Sequence, residues 1–563
     1  METPNATATP NATATADAVI VGGGPTALML AAELRLGGAD PVVLERLPEI
    51  SQIPKGNGLI GQIVPTLDYR GLTDRFRAEA TFTGPVPQFP FGSVPLDFSR
   101  LPASPLHIMA IPQRRLEQVL DDWLRELGGA VRRGHEVLAL SLPEDGSLVT
   151  VDVRGPDGDY RLRARYVVGC DGAHSLVRKE AGIGFPGVTS SETSRIGRVF
   201  LPTVEIMRGG QTAEVPGVGR VRLTLTNQTP RGAYSLAPLT SLDKTARPGL
   251  FIVYTREDDP ASSPADRNAP MALDELRESA RRVLGTDLPM TDPQWLTRTV
   301  GNSRQADRYR EGPVLLAGDA AHIFGAGGSL NVGLLDAMNL GWKLAAQIRG
   351  WAPDGLLDSY HVERHRAGQR AILQTRAQKA LSASGDYAEA LRDLFGELMR
   401  LPDALRHVGS IQEGSDVRYE TPAGLGRPHP LAGRFAPDLR LDGGSTRVAE
   451  LVRPARGVLL DLTGPGATHP DGPASGASTA SAAPASAASA SAGAPASAAL
   501  ASAASPWRDR VNMVAGRPVS EPPPAAAMLI RPDGYVAWAV GPDTGNLAGG
   551  LPEALRTWFG APG

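Results

Sequence analysis

The chain has 563 residues, 42% of them hydrophobic, with 57 Lys and Arg against 60 Asp and Glu and a formal net charge of -3. That length supports two or three domains with buried cores, and the interspersed charges exclude the pooled basic field that nucleic acid or an anionic membrane would need. The single cysteine, Cys170, excludes an intrachain disulfide and a multi-thiolate metal site, and fits a reducing, cytoplasmic compartment.

Residues 1–16 are polar, with no basic start followed by an apolar core, and read as a flexible N-terminus rather than a secretory signal. From 17 the order is apolar run, glycine turn, Ala/Leu/Met-rich stretch to Leu36, then Pro41-Val-Val-Leu-Glu45. This predicts strand, turn, helix, strand, the opening of a doubly wound α/β sheet with right-handed crossover. Gly22, Gly24 and Ala27 occupy the three positions of a G-x-G-x-x-G/A fingerprint. With Pro25 and Thr26 they open a helix whose free N–H groups and dipole suit a diphosphate. Glu45, closing the second strand, accepts ribose hydroxyls and repels a 2'-phosphate, so this pocket is expected to hold the AMP half of FAD, or NAD, and not NADPH.

Residues 55–76 read as a loop and helix, and 113–127 as a helix with Leu116, Leu120, Leu124 and Leu127 on one face. Strands at 137–140, 148–153 and 162–168 then lead to Gly169-Cys-Asp-Gly172, which completes a first part of the cofactor domain at 17–185. Over 186–290 the alternation has period two, predicting an inserted β-sheet substrate domain. Phe200, Leu223, Leu225, Tyr234 and Phe251 are its candidate pocket roof.

The first fold is expected to resume over 291–410, because Val314-Leu-Leu-Ala-Gly318 is another strand-like run ending in a carboxylate, Asp319. Two such ends so far apart in the chain imply one extended cofactor held from both sides, which FAD fits. Asp319 would meet ribitol hydroxyls or a cofactor-bound water. Gly327, Gly328, Ser329, Leu330 and Asn331 precede a long helix, where backbone amides and the helix dipole favour negative charge at the flavin N1–C2=O edge. The helical region runs to about 410 with a break at 382–385. Residues 425–560 form a third, smaller α/β domain, interrupted at 464–506 by an Ala/Ser/Pro-rich insertion expected to be disordered. The apolar runs are too short to cross a bilayer, His361 and His365 lack a third metal ligand, and no Gly-x-Ser-x-Gly elbow is present.

Three separated motifs carry a family resemblance: Gly22-Gly-Gly-Pro-Thr-Ala27, Cys170-Asp-Gly-Ala-His-Ser-Leu-Val-Arg178, and Gly318-Asp-Ala-Ala-His322 with Asn331-Val-Gly-Leu-Leu-Asp336. The chain resembles the flavoprotein aromatic hydroxylases of the p-hydroxybenzoate hydroxylase type, in the branch that tailors aromatic polyketides and includes phenol and rifamycin hydroxylases. The resemblance implies FAD, NADPH rather than NADH as reductant, dioxygen as co-substrate, and hydroxylation of a polycyclic phenol through a flavin C4a-hydroperoxide. It also implies cofactor contacts for Asp171, Gln113, Arg46 and Lys55, and a nicotinamide-related role for Arg178.

The C-terminal domain resembles the branch's thioredoxin-like tail but has no cysteine, which leaves it a packing role in a monomer or homodimer. One departure stands out. Family members read Pro-x-Gly-Gly-Gln-Gly-Leu-Asn where this chain has Phe324-Gly-Ala-Gly-Gly-Ser-Leu-Asn331, without the proline and with Ser329 alone in place of the Gln-Gly pair. A Baeyer-Villiger or ring-opening oxygenase on a quinone scaffold is therefore kept as the alternative. No residue is assigned as general base.

Overall fold

The computed structural model describes residues 14–53, 56, 58–142, 148–257, 269–325, 328–420, 429–441, 446–463, 493–519 and 522–563. A parallel sheet at its centre has the order Val314–Leu316, Gly158–Gly169, Ala14–Val21, Pro41–Glu45, Val131–Arg133. The first strand begins at Ala14, earlier than the expected flexible N-terminus allowed, because Ala14–Ala16 pair with Leu162–Ala164. Residues 1–13 lie outside the described residues. The strand Gly158–Gly169 is long enough to belong to two arrangements. Its first half pairs antiparallel with Val149–Gly155, and its second half runs between the first strand and Val314–Leu316.

The helix Pro25–Leu36 is buried around most of its circumference, so its apolar residues are spread over all sides instead of forming a stripe, and Glu33 is buried among them. It packs against the helices Gln113–Glu126 and Ser329–Arg349. A Cβ on Gly341 would sit 2.3 Å from Glu33 Cβ, and one on Gly37 2.4 Å from Ala345 Cβ, so glycine sets this helix–helix approach.

The second sheet is antiparallel: Asn227–Thr229, Gly232–Pro238, Leu250–Glu257, Gly187–Phe200, Thr291–Gln305, His322–Ile323. The expected boundary at 290 cuts this sheet short, because Thr291–Gln305 pairs with Gly187–Phe200 along most of its length. One face is covered by the helix Leu273–Leu284 through Val199, Leu236, Phe251 and Val253 against Leu276, Ala280 and Val283. Helices Asp358–Leu381, Asp386–Leu398 and Pro402–Glu413 follow the long helix Ser329–Arg349.

The C-terminal sheet has the order Val511–Ala515, Gly457–Asp461, Ala527–Ile530, Val536–Val540, the first pair parallel and the others antiparallel. Between its parallel strands lies the helix Gly493–Ala504. This corrects the expectation of disorder through 506. Leu500 is fully buried and Ala504 nearly so, in a cluster with Trp507, Leu551 and Phe559. Alanine is the strongest helix former, and a face of methyl groups packs closely without large side chains. Residues 464–492 of that insertion lie outside the described residues.

A buried ionic network joins this domain to the cofactor fold. The guanidinium of Arg531 donates to both oxygens of Glu363 at 2.6 and 2.9 Å and lies over the ring of Trp558 at 4.4 Å. Lys343 Nζ donates to Glu363 Oε2 at 2.7 Å, and Asn339 Nδ2 bridges Glu363 and Asp533 at 2.7 and 2.9 Å. Arg70 closes the set, donating to Glu33 at 2.6 and 2.8 Å and to Pro532 O at 2.7 Å.

Candidate active site

The first and third motifs interlock at Thr26. Its Oγ1 lies 2.7 Å from where a Cβ on Gly318 would sit, and the same distance from a Cβ on Gly333. Segments three hundred residues apart in the chain therefore meet at backbone distance. Gly22, at φ +109, would place a Cβ 2.5 Å from Cys170 O, so glycine is required where the chain leaving the first strand passes the Cys170-Asp171-Gly172 segment.

Gly24 caps the helix Pro25–Leu36 with no side-chain hydrogen bond, and a Cβ there would meet no protein atom within 4 Å. The free N–H groups of this helix therefore face open space, as a diphosphate requires. Glu45 closes the adjacent turn, its Oε2 accepting from Gly23 N at 2.6 Å and its Oε1 from Leu47 N at 2.8 Å. Asp171 Oδ2 accepts from Leu176 N and Val177 N at 2.7 and 3.1 Å, whereas its Oδ1 is buried with no hydrogen-bond partner. An orphaned acceptor beside an open, glycine-lined cradle fits an extended dinucleotide such as FAD. Asp319 is exposed in the 3-10 turn Gly318–Ala320, on the far side of Thr26.

The remaining expected residues fall in varied places. Gly328 caps the helix Ser329–Arg349 at φ 91 with no side-chain hydrogen bond, leaving the N–H groups of Ser329 and Leu330 at its free end. Asn331 Oδ1 accepts from Ile60 N at 2.9 Å. Gln113 is engaged within the protein, Oε1 accepting from Gly56 N at 3.1 Å and Nε2 donating to Glu117 at 2.8 Å. Arg46 is exposed at the end of the second strand. Arg178 is buried, its guanidinium donating to Ala320 O and Ala173 O at 2.8 and 3.0 Å and lying over Phe185. It thereby ties the Asp171 segment to the Asp319 turn. Lys55 and Gly327 lie outside the described residues.

Beyond the cradle lies a cavity of about 950 Å3. Its walls come from the second sheet (Ser194, Ile196, Tyr254, Thr299), the helix Asp358–Leu381, the end of the helix Pro402–Glu413, and the segment carrying Phe324, Gly328 and Asn331. The expected roof was on the wrong face. Leu223, Tyr234 and Phe251 are buried in the core against the helix Leu273–Leu284, and neither they nor Phe200 or Leu225 line the cavity. Successive strand residues point to opposite faces, so Tyr254 lines the cavity because Phe251 and Val253 face the core. The most apolar residues went to the helix-covered face and the mixed ones to the cavity.

Sequence reasoning assigned no role to His322, Asp336 and Arg364, though the first two stood inside a recognised motif. Asp336 is fully buried and accepts from Gly318 N at 3.1 Å, pairs with His322 Nε2 at 2.6 Å, and accepts from Arg364 Nε at 2.7 Å. Burial pushes its carboxyl up, but His322 and Arg364 outweigh that and hold it below the usual carboxylate range. The His322 ring stacks on Phe324 at 4.9 Å, so a buried carboxylate orients an aromatic face of the cavity wall. The signal was there in the sequence: a histidine and an aspartate in apolar helical and strand contexts need partners when buried.

Among the described residues no helix is long and apolar enough to cross a membrane, and no group of three His, Cys, Asp or Glu is arranged to hold a metal ion.

Two family models match the chain: an FAD binding domain over residues 15–375, and the C-terminal domain of aromatic-ring hydroxylases over 429–494 and 465–562. The 12-dehydrotetracycline 5-monooxygenase/anhydrotetracycline 6-monooxygenase of Streptomyces rimosus is 39% identical over 560 residues, covering 97% of this chain and 99% of that protein. A rifampicin monooxygenase of Streptomyces venezuelae is 38% identical over 547 residues, with 97% and 99% covered. Among solved structures, the OxyS anhydrotetracycline hydroxylase from Streptomyces rimosus superposes with a TM-score of 0.79 at 37% identity, covering 98% of this chain and 100% of that one.

Proposed function

Since the chain belongs to the FAD-binding aromatic-ring hydroxylases and is a flavoprotein monooxygenase, we propose that it hydroxylates a polycyclic phenol of the aromatic polyketide type, with NADPH as reductant. The observation that carries this reading is a shared wall. Gly328 and Asn331, at the free N-terminus expected to face the flavin, also line the cavity together with Phe324. A volume of about 950 Å3 is at the upper end for small-molecule sites and suits several fused rings.

When bound, FAD supplies the activation of dioxygen at the expense of the reduced nicotinamide. The residues of this chain do the placing. Gly24 and the helix it caps receive the diphosphate, Asp171 and Asp319 take hydroxyl groups from either side, and Glu45 the adenosine ribose. Ile196, Tyr254, Val300 and Phe324 present apolar and aromatic surface to flat rings and exclude water from the reacting carbon.

Purified protein is expected to be yellow, and to oxidise NADPH faster when anhydrotetracycline or a related polycyclic phenol is added. The product is expected to contain one added oxygen on an unchanged carbon skeleton. Release of all consumed dioxygen as peroxide, with every polycyclic phenol offered, would sink the hydroxylase reading. A ring-expanded lactone would establish the Baeyer-Villiger alternative, which no observation of this structure favours.

A further inference from the structure

We propose that Glu413 is the catalytic residue that accepts the phenolic proton of the bound substrate. This rests on reading the cavity as the polycyclic-phenol site. Three carboxylates line that cavity: Glu192, Glu413 and Asp416. Asp416 is paired with Arg370 at 2.5 Å, and Glu192 lies 3.5 Å from Lys379 Nζ. Glu413 has no Lys or Arg partner among the described residues, and the hydrogen bond its carboxyl makes among them is from the Ser415 hydroxyl to Oε2 at 2.7 Å. It is therefore the carboxylate that substrate can use without first breaking an ion pair.

Its position follows from local sequence. Glu413 ends the helix Pro402–Glu413, and Gly414, in the left-handed region at φ 89, turns the chain so that Ser415 reaches back to the carboxyl. The backbone is pinned as well. Gln62 N donates to Glu413 O at 2.9 Å, and only glycine fits at position 61, where a Cβ would sit 2.3 Å from that same oxygen. Ile60, on the same short segment, donates to Asn331 at the free end of the helix Ser329–Arg349. The Glu413 backbone is thus held on the wall next to the expected flavin edge, by a segment that also holds that edge.

Burial pushes the Glu413 carboxyl above its usual range, against the opposing Ser415 hydrogen bond. A helix C-terminus also disfavours negative charge. Both bring the group towards the pH at which it exchanges protons with a phenol most efficiently. The other charged or titratable groups on the cavity wall are engaged elsewhere or lie at its outer edge: Arg364 with Asp336, Arg370 with Asp416, Lys379 with Ser190 and Glu192, Tyr254 with Ser194, Arg256 with Ser382 O, and Arg376 on the exposed side of its helix. Tyr535 stands 3.5 Å from Gln62.

In the step proposed, the substrate O–H bond breaks and its proton passes to a Glu413 oxygen. The phenolate oxygen releases electron density to the ring carbon that forms the new C–O bond. That carbon then loses its hydrogen as a proton, which is taken up by the second oxygen of dioxygen as it departs as water, so the aromatic ring is restored, and Glu413 returns its own proton to the product oxygen. The carboxyl ends unchanged, and the oxidation is balanced by dioxygen and the reduced nicotinamide.

The test uses holoenzyme and the probe alizarin, whose neutral and ionised phenol absorb at different wavelengths. Glu413→Gln keeps the shape and removes the charge. If Glu413 touches the probe, the bound phenol titrates at least about one pH unit lower in Glu413→Gln than in the native protein, because a neighbouring carboxylate opposes formation of the phenolate. Hydroxylation of a neutral polycyclic phenol is expected to fall about 100-fold. A phenol already ionised at the assay pH is expected to react at close to the native rate. Equal titration of bound alizarin in both proteins, or loss of both substrates alike, overturns the assignment. If alizarin binds neither protein, the cavity reading itself fails and the proposal falls with it. Should Glu413→Gln not retain FAD, Ser415→Ala decides: removing the hydrogen bond that steadies the charged form is expected to move the acid limb of the rate profile to higher pH, and an unmoved limb overturns the assignment.

Discussion

Two glycines two residues apart are expected to fail in opposite ways when substituted. Gly24 has φ -78 and ψ -178, extended backbone open to any residue, and a Cβ there meets no protein atom within 4 Å. Gly24→Val should therefore leave the apoprotein as stable as the native chain. Its branched side chain instead enters the space at the helix terminus through which the diphosphate must approach. Crowding of that kind costs about 1–3 kcal/mol, which is about 5- to 150-fold in FAD affinity. At Gly22 the backbone is at φ +109 and a Cβ would lie 2.5 Å from Cys170 O. Gly22→Ala is therefore expected to destabilise the apoprotein itself, by about 1–3 kcal/mol from backbone strain alone. Quenching of FAD fluorescence on titration into apoprotein gives affinity, and urea unfolding of the same apoproteins gives stability. Native-like FAD affinity in Gly24→Val would refute the diphosphate path. Equal destabilisation of the two apoproteins would show that the space at Gly24 is filled by protein.

Asp319→Ala is expected to lose FAD on gel filtration while keeping the apoprotein's unfolding midpoint, since the side chain is exposed. Arg531→Ala leaves Glu363 and Asp533 buried beside each other with too little positive charge, and should cost about 3–5 kcal/mol, read from chemical unfolding; a cost below about 1 kcal/mol would mean that the domains are joined by their apolar cluster alone. Burial raises the Glu363 and Asp336 carboxyls, but Arg531 and Lys343 at the first, and His322 and Arg364 at the second, hold both below their ordinary values. The unfolded chain then binds protons that the folded one does not, so stability is present above about pH 4.5 and declines as pH falls below it; a melting temperature that rises between pH 5 and 3 would contradict this. The parity of the second sheet is tested by a pair: Phe251→Ala should cost about 3–5 kcal/mol of stability through the core, whereas Tyr254→Ala should raise KM with little change in melting temperature. A reversal of the two would return the roof to its originally expected face.

Strand and helix types in the cofactor fold were legible because their signals are local. A short apolar run, a glycine turn and an Ala/Leu-rich stretch specify strand, turn and helix within about twenty residues, and the Thr26, Gly318 and Gly333 contacts join the motifs that the sequence singled out. Composition misled at 493–504, where low complexity suggested disorder but alanine methyls pack around Leu500. The boundary at 290 failed because the strand Thr291–Gln305 carries much polar and charged sequence and shows no clean alternation.

From its residues alone this chain declared an extended nucleotide cofactor, a sheet domain inserted into the cofactor fold, and a third domain without thiol chemistry, because backbone conformation at glycine and the period of apolar residues are properties of neighbours in sequence. Which face of the inserted sheet meets the cavity, and which carboxylates are free, depended on what each residue packs against. Tyr254 and Phe251 are equally plausible cavity residues until the helix Leu273–Leu284 covers one side. Glu413 resembles Glu192 and Asp416 until Lys379 and Arg370, each on another element, engage the latter two. Burial and ion pairing are made by segments remote in the chain, so only the folded arrangement decides them.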